Sequence, residues 1–198
     1  MGSTDARPAA LLIAGPPASG KSTVGASLAK TLGATLIDLD VATGQLLSVI
    51  GSLVNIDDID DPGLATLTRT ARYETITCLA EDNLGVGNTV LLVAPFTEER
   101  KNLQAWVELS HRLHRAAAGA VTMVWLYLSR EDLLQRMRAR GADRDAGKLR
   151  REERFVDQLD LGPPVGPHIP IRAVGSVDQI VRAIVMQLNG DFALPSTT

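Results

Sequence analysis

One short segment near the start of the chain limits the possible folds more than any other. Residues 15–22 read GPPASGKS and match G-x-x-x-x-G-K-[ST] at every fixed position. An apolar run at 10–14, typical of a buried strand, comes before this segment. Val24, Leu28 and Leu32, which share one face of a helix, come after it. A strand, a glycine-rich turn and a helix in this order predict a loop that binds phosphate groups.

Each part of this loop has a task in binding a nucleotide. Glycine lets the backbone turn its N–H groups towards phosphate oxygens. Lys21 reaches the β- and γ-phosphates, and the Ser22 hydroxyl is suited to Mg²⁺. We therefore predict ATP and Mg²⁺ as cofactors, with Lys21 also catalytic. The predicted nucleotide contacts in the loop are Gly15, Pro16, Ala18, Ser19, Gly20, Lys21, Ser22 and Thr23.

Strands and helices alternate along the rest of the chain. Nearly continuous apolar runs predict parallel strands buried on both faces, at 10–14, 35–39, 89–94, 121–128 and 169–174. Helices are predicted from Lys21 to Gly33 and at about 42–50, 64–84, 98–117, 130–140, 148–159 and 177–188. This alternation predicts an α/β fold with a doubly wound five-stranded parallel sheet. We expect a single domain over 1–198, with its core at about 10–190.

Composition argues against several classes of protein. A net charge of −3 over 198 residues gives no basic surface for a nucleic acid. No apolar stretch is long enough to span a bilayer. The single cysteine, Cys78, has no partner for an internal disulfide. We therefore expect no nucleic acid or membrane partner, and a cytoplasmic location.

Two other classes of nucleotide-binding protein fit the sequence poorly. A GTPase needs an Asn-Lys-x-Asp motif, which the sequence lacks, and the D-x-x-G match at 60–63 follows no predicted strand. An oligomeric ATPase of the AAA type needs a strand that ends in Asp-Glu, whereas the predicted strand at 89–94 is followed by Pro95.

Further motifs follow the loop in a fixed order. They are Leu39-Asp40, Ala94-Pro95-Phe96 with Glu99-Arg100, Arg140-Gly141 with Arg144-Asp145, and Lys148-Leu149. With the loop and these motifs, the chain resembles the small-molecule kinases of the P-loop class over about 11–188. It is similar to shikimate kinase, gluconate kinase, chloramphenicol phosphotransferase and a bacterial kinase-like group often described as AAA-family ATPases. The resemblance implies transfer of the γ-phosphate of ATP to a hydroxyl of a sugar, a sugar acid or a natural product such as an antibiotic. It also implies a P-loop nucleoside triphosphate hydrolase fold with a lid.

Asp38 and Asp40 lie at the end of the second predicted strand. Side chains two residues apart on a strand face the same way, so both are expected to point into the crevice beyond the strand ends. The resemblance implies that an aspartate here holds Mg²⁺ through water, or orients the acceptor hydroxyl and accepts its proton. We assign Asp38 and Ser22 to the metal and Asp40 to the base and substrate-binding roles. A helix cap or a solvated turn is the alternative for Asp40.

An arginine-rich segment at 136–154 has the features of a lid. Glycines on both sides of its centre would let it move, and arginines closing over the transferring phosphate would exclude water. We assign Arg140 and Arg144 to catalysis and Arg136 to the nucleotide. The alternative is a solvated helix surface with ion pairs.

The acceptor contacts are assigned mainly from the resemblance. The segment at about 42–72 lies where such kinases insert their substrate-binding helices, and such kinases hold adenine after the last strand. We assign adenine to Ser176. The predicted acceptor contacts, besides Asp40, are Arg69, Arg72, Phe96 and Arg100.

Two other functions remain open. One is a nucleotide-binding regulator or zeta-toxin-like kinase that acts on a partner protein. The other is a nucleoside or nucleotide kinase, against which the acidic loop at 57–61 argues weakly. The expected partners are ATP and a small-molecule acceptor, and the chain is expected to be a monomer or a homodimer.

Overall fold

The structure is a computed structural model that describes residues 8–140, 159 and 161–191, without the side chains of 137–140 and 189–191. The strands of this part are β1 Ala10–Ala14, β2 Thr35–Asp38, β3 Val90–Val93, β4 Val121–Tyr127 and β5 Ile169–Arg172. Its helices are α1 Lys21–Leu32, α2 Leu39–Leu53, α3 Pro62–Gly85, α4 Thr97–Lys101, α5 Leu103–Ala117, α6 Arg130–Arg140 and α7 Val177–Asp191.

The five strands form one parallel sheet in the order β2-β3-β1-β4-β5. The central strand, β1, pairs with β3 on one side and β4 on the other. Parallel strands need crossover connections, and here helices supply them on both faces of the sheet. The predicted α/β fold with a five-stranded parallel sheet is confirmed.

The hydrophobic core lies in two layers, one on each face of the sheet. Leu11 and Ile13 of β1 pack with residues of α1 and α7, whereas Leu12 packs with residues of α3 and α5. Successive side chains of a strand point to opposite faces, so a strand covered by helices on both sides is apolar throughout. This explains why β1, from which the phosphate-binding loop extends, is buried along its whole length.

The junction between β2 and α2 differs from the prediction. The sequence predicted a strand to residue 39 and a helix from about 42, but α2 begins at Leu39, directly after the strand. The Oδ1 atom of Asp38 accepts hydrogen bonds from the backbone N–H groups of Asp40, at 2.9 Å, and Val41, at 3.4 Å. Asp38 is thus the N-cap of α2, and its carboxylate satisfies donors that the first helical turn leaves unpaired.

The helix predicted at 98–117 is two helices, α4 and α5. Asn102 separates them, with an extended backbone and an Oδ1 atom that accepts hydrogen bonds from the N–H groups of Gln104 and Ala105. An asparagine that caps a new helix ends the previous one. The helix predicted at 148–159 and most of the predicted lid lie outside the described residues. Within the described ranges, none of the helices has the length and apolar character needed to cross a membrane.

Candidate active site

Three segments of the chain meet at the carboxyl edge of the sheet. Val93 of β3 is in register with both Ile13 of β1 and Asp38 of β2. The residues that follow these three positions therefore lie side by side. In open parallel sheets, ligands bind beyond this edge.

A cleft of about 300 Å³ occupies this edge. Residues of the phosphate-binding loop and the start of α1 form one wall, which we call the phosphate wall. Aspartates of the β2–α2 junction and of the loop before α3 line the opposite side, and the residues after β3 lie between. The residues that matter most here are Gly15, Gly20, Lys21, Ser22 and Thr23 on the phosphate wall, Asp38, Asp40 and Asp60 opposite, and Ala94 and Pro95 between.

The phosphate wall is made mainly by the backbone. Ala18 and Gly20 have positive φ angles of 57° and 88°, which turn the chain sharply into α1. Gly20 offers α1 no side-chain cap, so no side chain at the N-cap covers the first turn of the helix, which faces the cleft. The backbone N–H groups of a first helical turn and the positive end of the helix dipole suit a bound anion.

Lys21 lies across this loop. Its Nζ atom donates hydrogen bonds to the carbonyl oxygens of Gly15, at 3.0 Å, and Pro16, at 2.9 Å. Lys21, Ser22 and Thr23 also line the cleft. The loop thus holds an ammonium group and two hydroxyl-bearing residues beside the backbone donors of α1.

Ser19 and Arg136 lie behind the phosphate wall. Ser19 is fully buried, and its Oγ atom has no hydrogen-bond partner among the described residues. The guanidinium of Arg136 donates to the carbonyl oxygens of Ser19, at 3.2 Å, and of Ala173, which follows β5. Arg136 was predicted to contact the nucleotide, but here it ties the loop to the segment after β5.

Ser176 was predicted to contact adenine. In the structure its Oγ atom accepts a hydrogen bond from the N–H of Gln179, at 3.2 Å, and its own N–H donates to Oε1 of Gln179, at 2.9 Å. This reciprocal pair is a capping arrangement at the start of α7. The side chain of Ser176 is therefore engaged by the helix that follows it.

Asp38 and Asp40 both line the cleft, but the strand geometry predicted for them is wrong. They were expected to share one face of a strand, whereas Asp40 lies in the first turn of α2. Asp38 is only 8% exposed and caps the helix through Oδ1, which leaves Oδ2 for the cleft. The side chain of Asp40 is 77% exposed, and its Oδ1 atom accepts a hydrogen bond from Nη2 of Arg72 at 2.7 Å. The cap considered for Asp40 is thus formed by Asp38.

Arg72 of α3 is held by two residues of α2, Asp40 and Thr43. Its Nε atom donates to Oγ1 of Thr43, at 2.8 Å, and the Thr43 hydroxyl donates to the carbonyl of Leu39, at 2.6 Å. The Arg72 side chain is only 16% exposed. The carboxylate of Asp40 is therefore held towards α3 by a fixed cation.

Arg69 of α3 contacts a second group one turn away. Its Nη2 atom lies 3.4 Å from Oε2 of Glu99, and its guanidinium lies 4.2 Å from the centre of the Tyr73 ring. Burial raises the pKa of the Glu99 carboxyl above its usual value, and the nearby Arg69 only partly opposes this. Burial also raises the pKa of the Tyr73 hydroxyl. Together, the side chains of Asp40, Thr43, Arg69, Arg72 and Glu99 form what we call the acceptor wall. Of these described residues, Asp40 lines the cleft itself, whereas Arg69 and Arg72, which were also predicted to contact the acceptor, are not among the residues that line it.

Phe96 and Arg100 do not line the cleft described above, although both were predicted to contact the acceptor. Phe96 is 1% exposed and packs edge-on against Tyr73, whose hydroxyl accepts a hydrogen bond from the Phe96 N–H at 3.0 Å. Arg100 is also buried, with its Nη1 donating to the carbonyl of Gly162 at 2.6 Å and its guanidinium 4.8 Å from the Trp125 ring. Both side chains are part of the packed interior behind the cleft.

A family model described as an AAA domain (AAA_33) matches residues 11–163. The chain belongs to this family. A sequence search of curated proteins found none that matches it.

Three solved structures show what this AAA domain resembles in three dimensions. A candidate kinase from Chloroflexus aurantiacus j-10-fl is 19% identical with a TM-score of 0.66, and the match covers 94% of this chain and 98% of that one. A gluconokinase from Sinorhizobium meliloti 1021 is 19% identical, with a TM-score of 0.57 and coverages of 93% and 95%. Shikimate kinase from Aquifex aeolicus vf5 is 20% identical, with a TM-score of 0.53 and coverages of 94% and 99%. The predicted resemblance to P-loop small-molecule kinases is confirmed at the level of fold.

The structure of the AAA domain also brings to the site residues that were not among the predicted site residues. Asp60 reaches the cleft from the loop before α3, while Thr43 and Glu99 hold Arg72 and Arg69. The only signal for Asp60 was its place in an acidic loop, and for Glu99 its place in a motif. Thr43 had none, because its contact with Arg72 joins residues 29 positions apart.

Two predicted catalytic arginines of the AAA domain lie beyond what the structure describes. Arg140 ends α6, but its side chain is outside the described part, and Arg144 is outside it entirely. Their roles stay predictions.

Proposed function

We propose that this protein is a Mg²⁺-dependent kinase that transfers the γ-phosphate of ATP to a hydroxyl group of a small metabolite. One observation carries the proposal. A single cleft holds the ammonium of Lys21 and the hydroxyl of Ser22 on one side and the carboxylates of Asp38 and Asp40 on the other. Cation, metal ligands and base are the parts that phosphoryl transfer needs.

On the phosphate wall, the N–H groups at the start of α1 bind the phosphates of ATP, and Lys21 moves from the Gly15 and Pro16 carbonyls to the β- and γ-phosphate oxygens. Moving the lysine exchanges two hydrogen bonds to neutral carbonyls for bonds to charged oxygens, which are stronger. The positive charge then lies where negative charge develops during transfer.

The donor set of the cleft fits a magnesium ion. Among the described residues, no three His, Cys, Asp or Glu side chains are grouped as a metal site of their own. Mg²⁺ needs no such group, because it binds through one or two protein oxygens together with water and the substrate phosphates. Ser22 and Asp38, whose hydroxyl and carboxylate groups are oxygen donors, line the same cleft. When bound, the ion neutralises charge on the β- and γ-phosphates.

At the acceptor wall, Asp40 positions the hydroxyl that receives the phosphate. The acceptor oxygen forms a bond to the γ-phosphorus while the bond to the bridging oxygen of ADP breaks, and the hydroxyl proton passes to the Asp40 carboxylate. Arg72 holds one oxygen of this carboxylate, which leaves Oδ2 for the acceptor. The predicted lid arginines, Arg140 and Arg144, would add positive charge over the transferring group.

The experiment is an ATP-consumption assay with a panel of sugars, sugar acids, amino alcohols, nucleosides and antibiotics. At least one acceptor should stimulate turnover, and Lys21→Ala should lower that turnover by more than about 100-fold. Lys30→Ala is the matched control, because Lys30 lies exposed in the last turn of the same helix.

A Lys21→Ala variant with normal turnover would overturn the kinase mechanism. If no member of the panel stimulates ATP consumption while ATP still binds, transfer to a small metabolite is the wrong function, and a regulator with a partner protein fits better.

A further inference from the structure

Helix α2 has an unusual composition for a helix at the surface. Its exposed stretch and the turn after it, residues 41–56, contain no Asp, Glu, Lys, Arg or His. One side of the helix is buried through Thr43, Leu47 and Gly51. A surface helix normally carries charged residues on the side opposite its buried stripe. Here the exposed residues from 41 onward are apolar or uncharged polar residues.

Four exposed apolar residues of α2 fall on one face, and Val41, which is also exposed, lies outside it. Ala42, Leu46, Val49 and Leu53 follow the spacing i, i+4, i+7 and i+11, which places them in one line along the helix. We call these four residues the α2 face. Leu46 is 64% exposed, Val49 58% and Leu53 77%. Val54 and Ile59, in the turn and loop that follow α2, and Leu67 on the adjoining α3 are also largely exposed.

The exposed apolar area can be compared with the area that a dimer interface buries. The large apolar residues of the α2 face and its three neighbours expose the equivalent of three to four complete side chains. Each such side chain offers roughly 60–120 Å² of apolar surface, which gives on the order of 300 Å² in all. A standard interface buries about 800 Å² per partner, of which somewhat over half is apolar. The α2 face with its neighbours thus supplies much of the apolar core of such an interface.

The distribution of charge favours a second copy of the chain over a membrane surface. A helix that lies on an anionic membrane carries Lys or Arg beside its apolar face. The polar residues beside the α2 face are Gln45, Ser48 and Ser52, and the loop after the helix is acidic, at 57–61. An uncharged apolar stripe is self-complementary, as a two-fold symmetric contact requires, because residue i of one copy can meet residue j of the other, and the reverse, without charge repulsion.

We propose that the α2 face is the interface of a symmetric homodimer. Two α2 helices pack across the two-fold axis, with Leu46, Val49 and Leu53 of each copy in the contact. Because Asp40 lies in the first turn of α2, dimerisation also fixes the helix that carries one side of the cleft.

Sedimentation velocity of the full chain over a wide range of concentration tests this interface. The wild-type chain should form a dimer, and Leu46→Lys and Val49→Lys should each raise the dimer dissociation constant by at least about 30-fold, because each places a charge in the apolar contact. Met186→Lys on α7 and Leu103→Lys on α5 are matched controls, since both residues are at least half exposed outside the α2 face. The controls should leave the dissociation constant unchanged.

Two results would overturn the proposal: a wild-type chain that stays monomeric at every concentration, or a dimer that Leu46→Lys and Val49→Lys do not weaken. Far-ultraviolet circular dichroism and the thermal midpoint show whether each variant is folded. If a lysine variant is unfolded, Leu46→Gln replaces it, and a dimer unaffected by that change is equally decisive.

Discussion

On the phosphate wall, consecutive residues of one loop present backbone groups to the cleft. On the acceptor wall, side chains from α2, α3 and α4 meet through ion pairs, with Arg72 bound to Asp40 and Arg69 bound to Glu99. The first wall depends on how closely the backbone can approach its neighbours. The second depends on contacts between residues some 30 positions apart. We therefore expect substitutions of the phosphate wall to abolish nucleotide binding, and substitutions of the acceptor wall to change transfer while nucleotide still binds.

The largest effect is expected from Gly15→Ala. A Cβ atom on Gly15 would lie 2.7 Å from the carbonyl oxygen of Leu126 and 2.7 Å from Oγ of Ser19, and a backbone oxygen of the sheet cannot move aside. We expect the free energy of unfolding to fall by about 1–3 kcal/mol and ATP binding to be lost. Urea unfolding and a nucleotide titration measure both quantities.

Gly44→Ala is the matched control for Gly15→Ala. A Cβ atom on Gly44 would meet nothing within 4 Å, and Gly44 lies inside α2. Alanine there should raise stability by about 0.5–1 kcal/mol. Equal losses in the two variants would show that the close approach at Gly15 is not what the phosphate wall depends on.

Asp40→Asn should slow phosphoryl transfer by about 100-fold or more, because an amide cannot take up the proton that the hydroxyl of the acceptor molecule releases. The dissociation constant for ATP should change little, since Asp40 lies opposite the phosphate wall. Single-turnover kinetics and a nucleotide titration separate the two. Asp57→Asn, which makes the same change at an exposed loop position, is the control. An unchanged rate in Asp40→Asn would remove Asp40 from the base role.

Tyr73→Phe tests the support behind the cleft. The Tyr73 hydroxyl accepts the N–H of Phe96, whose backbone is left-handed with φ of 46°, and Phe96 directly follows Pro95 in the cleft. Removing the Tyr73 hydroxyl leaves the buried N–H of Phe96 unpaired, so we expect a loss of about 1–3 kcal/mol in the free energy of unfolding. Tyr127→Phe, at the partly exposed end of β4, should change stability by less than about 0.5 kcal/mol. Similar losses of stability in Tyr73→Phe and Tyr127→Phe would argue against a stabilising hydrogen bond between Tyr73 and Phe96.

Glu99→Gln should have the smallest effect, and it depends on pH. Burial raises the pKa of Glu99 in the folded chain, so the folded state holds this proton more tightly than the unfolded state. The contribution of Glu99 to stability is therefore greatest below its unfolded pKa and falls as pH rises through the folded value. The stability of wild type relative to Glu99→Gln should decline as pH rises above about 4.5, as measured by urea unfolding at several pH values. Glu98→Gln is the control, and the opposite slope would contradict the assignment.

The difference between the two walls also explains what the sequence could predict. The phosphate-binding loop, the strands and most helices depend on local patterns, and these were found from spacing alone. Three of the site residues that differed from prediction, Phe96, Arg100 and Arg136, are held by long-range contacts. Phe96 and Arg100 follow a strand end, which suggested the cleft, but Tyr73, Gly162 and Trp125 hold them in the interior. No local pattern encodes those partners, because each pair is 23 or more positions apart in the chain.

The start of α2 was misplaced for a different reason. Asp38 satisfies two patterns at once, the end of an apolar strand and the N-cap of a helix. The prediction placed a short turn between the strand and the helix, so the predicted helix began several residues after its true start. It therefore gave Asp40 a non-helical backbone conformation, whereas Asp40 lies in the first turn of α2. The prediction that both aspartates reach the cleft does not depend on that turn, because the carboxyl end of β2 lies at the cleft in either case.

The direct passage from β2 into α2 has a mechanical consequence. With no residue between strand and helix, and with the Asp38 carboxylate bonded to the first turn, this corner offers no hinge. Asp38 and Asp40 therefore move with the sheet as one rigid piece. If the cleft opens to admit an acceptor, the chain has to bend elsewhere. The nearest connection between helices that contains non-helical residues is the segment after α2, at 54–61.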